Sequence, residues 1–304
     1  PGGGRKPFSK GFRPPPVKVY EFSYEEDLEM SQQTSKAPRV IMIGAHPDDS
    51  EHYAGGTAAL WAEQGAAVLL VSVTNGDAGH QSQGGGALAK RRTAESRRSA
   101  EILGVESLVM DFHDGELEPS LEVRKAVIRA IRSWRADIVI SHRPYDYHPD
   151  HRYTSQVVQD AAFLVTVPCI CPDVEPLGWN PVFLFFGDSF LKPMPFSPDV
   201  IVDVGPAMDK KVRSFAAMES QVFEWLPWLE GKLESVPASE SGRLEWLGQQ
   251  YAEHFERAAG RYRKLLAERY GAGRAGEVKY AEGFELCEYG SQPSREELWE
   301  MLPK

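Results

Sequence analysis

From residue 39 to residue 141 the chain alternates short apolar runs with longer stretches of helical spacing. Residues 39–44 (Arg-Val-Ile-Met-Ile-Gly) hold a short apolar run with β-branched residues, the pattern of a strand buried on both faces. A helix is predicted over 51–64 and a second buried strand over 67–74. A charged amphipathic helix is predicted over 87–103, stopped by Gly104. A third strand follows at 108–112, a helix at 121–134 and a fourth strand at 137–141. Strands separated by helices imply βαβ units, hence an α/β fold: a mainly parallel sheet with helices on both faces.

The later pattern is less regular. It predicts a helix over 153–165, strands over 181–186 and 200–204, and helical spacing over 208–224. A long charged helix over 245–270 ends at Gly271-Ala272-Gly273, and a last strand covers 280–286. Residues 1–38 carry Pro14-Pro15-Pro16 and the acidic patch Glu25-Glu26-Asp27, and read as an extended arm with little core. The expected organisation is this arm followed by one domain, 39–304. Its core is 39–205, and a C-terminal helical and strand extension covers 206–304.

In parallel sheets ligands sit at the carboxyl ends of the strands. The dense polar clusters fall there. His46, Asp48 and Asp49 follow the first strand, and Asn75 and Asp77 the second. His113 and Asp114 follow the third, and His142 through His151 the fourth. His46 and Asp49 lie three apart across a tight turn whose proline limits the backbone. His148 and His151 lie three apart near a helix start, a spacing that puts both on one face. Zinc hydrolases use three such ligands and leave one position for water. The two segments therefore present four candidate ligands and a spare carboxylate. Asp48 suits a general base. His148 suits an oxyanion donor or acid, with Asp150 to orient it or keep it cationic. An isolated His-Pro-Asp-Asp also reads as a turn with an Asp helix cap. The pairing of two clusters at two strand ends favours the metal site.

Composition narrows the partners. The 304 residues carry a net charge of −10. A field of that sign repels phosphate, which argues against bulk nucleic acid or an anionic membrane surface as partner. No apolar run is long enough for a membrane helix, and no signal peptide is visible. Three cysteines, Cys169, Cys171 and Cys287, describe no disulfide framework. They are expected to be reduced thiols of a cytoplasmic protein.

The segment Ala45-His46-Pro47-Asp48-Asp49-Ser50-Glu51 with Gly55-Gly56-Thr57 resembles the opening signature of the LmbE-like, or PIG-L, de-N-acetylases. His148-Pro149-Asp150-His151-Arg152 resembles their second signature. Thr74-Asn75-Gly76-Asp77 and Arg92-x-x-Glu95 also match. The resemblance covers residues 39–165 well and the rest weakly, and it implies a Rossmann-like fold, in agreement with the alternation of strands and helices. It implies zinc, or another divalent ion, on His46, Asp49 and His151. It implies Asp48 as general base, and His148 as the electrophilic or acid residue oriented by Asp150. Arg92 would contact substrate; the competing reading is a surface pair with Glu95. Asn75, Asp77 and Tyr147 are further substrate-binding candidates. The implied activity is removal of an N-acetyl group from an amino sugar or N-acetylglucosamine conjugate. The implied partners are a small N-acetylated molecule and other copies of the chain in a homo-oligomer. A metallo-amidase on a non-sugar amide and a non-catalytic, metal-containing sugar-binding protein are the alternatives. His80 in the glycine-rich loop 78–86, and Trp179, Trp225, Trp228 and Trp246, depart from the compact family pattern.

Overall fold

The computed structural model describes residues 37–304. The arm expected over 1–38 falls, but for its last two positions, outside them.

β1 (Arg39–Gly44), β2 (Ala67–Thr74), β3 (Glu106–Phe112), β4 (Ile138–Ser141) and β5 (Val182–Phe186) form the parallel part of a seven-stranded sheet. The intervening helices are α1 (Asp49–Glu63), α2 (Gly85–Leu103), α3 (Leu121–Trp134) and α4 (Pro149–Leu164). β6 (Val200–Asp203) and β7 (Ala281–Gly290) complete the sheet in the order β3-β2-β1-β4-β5-β7-β6. β7 runs antiparallel between β5 and β6. From β1 the chain winds outward to β2 and β3, then returns to place β4 on the other side of β1. The crevice at the carboxyl ends of β1 and β4 is therefore the topological switch point, where open α/β sheets bind ligands.

Alternation along β1 explains the two covered faces. Val40 and Met42 pack with Ala54, Ala58 and Trp61 of α1. Ile41 and Ile43 pack with Ile128 and Ile131 of α3 and Val157 and Ala161 of α4. Successive side chains of a strand point to opposite faces, so a wholly apolar run requires helices on both.

The remaining elements are α5 (Met208–Ala216), a π-helical turn (Ser220–Trp225), α6 (Leu226–Leu229), α7 (Glu240–Arg261), α8 (Arg263–Tyr270), α9 (Ala272–Glu277) and α10 (Arg295–Met301). Three differences from expectation have physical causes. The helix expected from 153 starts at Pro149, because His148 is the N-cap and proline suits the first helical position. The single helix expected over 208–224 is α5 plus the π-helical turn. The long helix expected over 245–270 is two helices, α7 and α8, parted at Tyr262, and β7 lies between β5 and β6 in the sheet.

That insertion also anchors α1. Glu282 of β7 accepts hydrogen bonds from the backbone N–H of Gly56 (3.0 Å), the N–H of Thr57 (2.8 Å) and the Thr57 hydroxyl (2.6 Å). Its charge is met by Lys211 of α5 at 2.5 Å. A Cβ on Gly56 would meet Val204 Cβ at 2.8 Å, so only glycine lets the helix approach this closely. The Gly-Gly-Thr of the sequence is thus a docking surface for α1, whose start carries the polar cluster.

Candidate metal centre and active site

The turn after β1 delivers His46, Asp48 and Asp49. Asp48 takes φ 139°, a region side-chain-bearing residues rarely adopt. It occupies the N-cap of α1 yet makes no side-chain cap hydrogen bond. The helix-cap reading of this segment therefore fails for Asp48. Its carboxylate instead lies 3.5 Å from Arg92 Nη2.

Donor atoms of three residues converge, Asp49 offering one carboxylate oxygen to each histidine. His46 Nδ1 lies 3.2 Å from His151 Nε2 and 3.4 Å from Asp49 Oδ2. His151 Nε2 lies 3.3 Å from Asp49 Oδ1. A tetrahedral zinc ion with bonds of roughly 2.0–2.1 Å holds its donors about 3.3 Å apart. The triangle therefore fits an ion. The outer nitrogens fix the tautomers. His46 Nε2 faces Asp150 Oδ2 and Asp114 Oδ1, each at 3.2 Å. His151 Nδ1 faces Asp146 Oδ2 at 3.1 Å. His46 thus gives its N–H to a carboxylate and turns its lone pair inward, the usual support for a metal-binding histidine, and the outer nitrogen of His151 has a carboxylate beside it.

Other overlapping groups also lie close enough together to hold an ion, among them His46, His148 and His151. Asp49, His142 and His151 also cluster, but His142 Nε2 already accepts the Ala45 N–H at 3.1 Å. His142 stacks on His151 with ring centroids 4.1 Å apart, and burial pushes its pKa down to about 4. It is a neutral backing plate. The group of His46, Asp114 and Asp150 uses the outward nitrogen of His46.

The electrostatics also call for a cation. Asp48, Asp49, Asp114, Asp146 and Asp150 surround the two histidines, with Arg92 the guanidinium among them. Burial opposes a charge on His46, but hydrogen bonds to Asp114, Asp150 and Asp49 outweigh it and raise its pKa well above the ordinary value. His151 is likewise raised to about 9 against burial, by Asp49 and Asp146. Burial works to raise Asp49, but His151 and His142 hold it well below the usual carboxylate range. Burial raises Asp48 to about 6, with Arg92 pulling the other way.

The expected link from Asp150 to His148 takes a different form. The Asp150 carboxylate, fully buried, serves His46 and the Gly115 N–H at 2.7 Å. Only the Asp150 backbone N–H reaches His148, donating to Nδ1 at 3.2 Å. That leaves Nε2 as the protonated nitrogen of a neutral His148. Burial, then the charges of His46 and His151, lower its pKa, and a helix N-terminus disfavours a cation. Of the two roles expected of Asp150, orienting His148 or keeping it cationic, the contact present is an orienting one made by the backbone N–H, and it suits a neutral His148 with its N–H at Nε2. Its ring meets His46 edge-on, centroids 4.5 Å apart.

Arg92 is 2% exposed, which removes the surface-pair reading. Glu95 pairs with Arg91 instead, at 3.0 Å. Arg92 donates to the carbonyls of Pro47 (2.8 Å) and Gly76 (3.2 Å) and faces Asp114 at 3.5 Å. Asn75 and Asp77 brace loops. Asn75 donates to Asp111 at 2.9 Å, and Asp77 accepts the Asp114 N–H at 3.0 Å and faces His113 at 2.7 Å. Tyr147 stands at the mouth, 73% exposed, its ring edge-on to His148 and His151. His80 is tied to Glu224 of the π-helical turn at 2.8 Å. Trp225 and Trp228 stack on each other, Trp246 packs beside Phe223, and Trp179 donates to Ala136 O. Asp114 and Asp146 were not singled out as supports in the sequence. Their place just after β3 and β4 was the available signal.

Among the described residues no helix is long and apolar enough to cross a membrane, and the three cysteines are free. Residues 41–162 match the PIG-L family, described as GlcNAc-PI de-N-acetylase. The chain is 31% identical over 219 residues to the diacetylchitobiose deacetylase of Thermococcus kodakarensis, covering 67% of this chain and 79% of that protein. It is 26% identical over 207 residues to the 4-oxalmesaconate hydratase of Pseudomonas putida, covering 64% of this chain and 79% of that protein. The solved N,N'-diacetylchitobiose deacetylase of Pyrococcus horikoshii superposes with a TM-score of 0.62 at 25% identity, covering 83% of this chain and 84% of that one.

Proposed function

The chain belongs to the PIG-L, or LmbE-like, family of de-N-acetylases, and from that premise we propose that it hydrolyses the N-acetyl group of a small amino-sugar conjugate, releasing acetate and the free amine. The observation that carries this reading is the triangle of His46 Nδ1, His151 Nε2 and the Asp49 carboxylate, with edges of 3.2–3.4 Å. These three residues would hold zinc or another divalent cation. A cation there supplies a Lewis acid and an acidified water at neutral pH.

The chain's own groups do the rest. Asp48, with a pKa of about 6, is ionised at neutral pH and takes the proton of the attacking water. His148 presents its Nε2–H to the oxygen of the scissile carbonyl as that oxygen gains charge. The proton held by Asp48 then passes to the departing nitrogen, which leaves as the amine. Asp114 and Asp150 keep the His46 ring in register throughout.

The likeness to a hydratase supports a second reading, addition of water to a carbon–carbon double bond by the same base and donor. The deacetylase reading rests on the higher identity and on the family description. The test is acetate release from a panel of N-acetyl amino sugars, before and after chelation. Asp48→Ala is expected to lose turnover by roughly 10²–10⁴-fold while keeping its metal. Activity insensitive to chelation, or normal activity of Asp48→Ala, overturns the reading.

A further inference from the structure

Arg92 meets two segments: the turn of Pro47 and Asp48, and the loop after β2. A Cβ on Gly76 of that loop would lie 2.5 Å from Arg92 Nη1, and a Cβ on Gly79 would lie 3.1 Å from the same nitrogen. The loop backbone therefore packs directly on the guanidinium that braces Asp48. Five glycines between positions 76 and 86 give this loop little stiffness of its own.

What holds the loop comes from far along the chain. Gln221 of the π-helical turn, 3% exposed, donates from Nε2 to the Gly79 carbonyl at 3.0 Å. Glu224 of the same turn pairs with His80 Nε2 at 2.8 Å and accepts from Arg91 Nη1 and Nη2 at 2.8 and 2.6 Å. His80 Nδ1 accepts the N–H groups of Ser82 and Gln83, each at 3.1 Å, so the ring directs its own N–H, on Nε2, at Glu224. The π-helical turn is in turn pinned to α2. Ser220 gives its N–H and its hydroxyl to the buried Glu95 carboxylate at 3.1 and 2.5 Å. Single π-helical turns are frequent at functional positions.

We propose that Gln221 and Glu224 are positioning residues for catalysis: they clasp the loop 76–83 onto Arg92, and so hold the guanidinium that fixes the turn of Asp48. The inference rests on the deacetylase reading above. Its physical basis is geometric. A displacement of about 1 Å in a catalytic group costs roughly 100-fold in rate, even when its origin is remote from the chemistry. Neither residue need touch the substrate, so the cost falls on kcat rather than on KM.

The test compares Glu224→Ala with the wild-type protein, each with and without Arg92→Met. Glu224→Ala is expected to lower kcat for acetate release by about tenfold, with KM changed less than about twofold. In the Arg92→Met background it should lower kcat by less than about twofold, because a role exercised through Arg92 has nothing left to position. Amide exchange gives a readout that needs no substrate. The N–H groups of Ser82 and Gln83 should exchange about tenfold faster in Glu224→Ala. Gln221→Met keeps the bulk of the side chain and removes its donor. It should lower kcat with the same dependence on Arg92, and it decides the question if the alanine variant does not fold. An equal fold-loss with and without Arg92 overturns the inference, as does unchanged kcat or unchanged exchange at Ser82 and Gln83. Each of these leaves the deacetylase reading standing. If the wild-type protein releases no acetate from any N-acetyl amino sugar, the deacetylase reading falls, and this inference with it.

Discussion

Arg92 donates to the carbonyl of Pro47 at 2.8 Å while the same nitrogen lies 3.5 Å from the carboxylate of Asp48. Between these two groups the chain turns with Asp48 at φ 139°. A side-chain-bearing residue held there costs about 1–3 kcal/mol and persists when its surroundings impose it. Arg92 is the imposing group, reaching in from α2. Gly76 makes the approach possible, since a Cβ there would meet the guanidinium at 2.5 Å. Arg92→Met is therefore expected to lower kcat by about 100-fold with a smaller change in KM. Arg92→Lys should not rescue it, because a single ammonium cannot span both carbonyls. Steady-state kinetics of the two variants check this; full activity in Arg92→Lys refutes it.

Metal binding should depend on pH with a defined sign. His151 has a pKa raised to about 9, and His46 is also raised, in the metal-free protein. An ion requires both rings neutral, so binding expels protons. Affinity should rise with pH and level off once these groups are neutral, above about 9 for His151. Calorimetric titration with zinc in buffers of different ionisation enthalpy measures the released protons. Affinity that is flat from pH 6 to 9 contradicts the assignment.

Lys211 and Glu282 form a buried pair under α1. Removing one partner leaves the other charge stranded, at a cost of about 3–5 kcal/mol. Lys211→Met should lower the urea midpoint accordingly. The double variant Lys211→Met with Glu282→Gln should recover part of the loss, because no unpaired charge remains. Equal midpoints for the single variant and the wild-type protein would show that the pair contributes nothing.

Glu51 is buried, and its pKa is pushed up from 4.5 to about 8 by burial, then by the charges of Asp48 and Asp49. An acid held protonated in the fold favours folding fully below its ordinary value. That contribution is lost as pH rises from 4.5 to about 8 and is constant above. In metal-stripped protein, Glu51→Gln should therefore gain thermal stability relative to the wild-type protein at pH 8 but not at pH 4.5. Parallel melting curves at both pH values would exclude it.

The parallel half of the sheet was legible in the sequence because its inner strands, β1, β2 and β4, are buried on both faces. Residues 39–44, 67–74 and 121–134 need no tertiary knowledge to be read, since an apolar run or stripe has few other uses. The C-terminal half was less so. A charged stretch such as 208–224 has helical spacing whether it makes one helix or a helix and a π-helical turn, and only packing selects between them. Arg92 was read as a substrate contact or a surface pair; its burial removes the surface pair, and its contacts within the chain are with Pro47, Asp48, Gly76 and Asp114.

The sequence by itself determined that His46, Asp49 and His151 stand at the ends of the first and fourth strands, because local pattern sets strand and helix ends. Only the tertiary structure decided which nitrogen of each ring turns inward. It did so by bringing Asp114, Asp146 and Asp150 to the outward nitrogens, and it gave His148 its neutral form through a backbone N–H. It also brought Glu282 to Gly56, 226 positions away in the chain. Such contacts between distant segments depend on how elements pack, and no local periodicity records them.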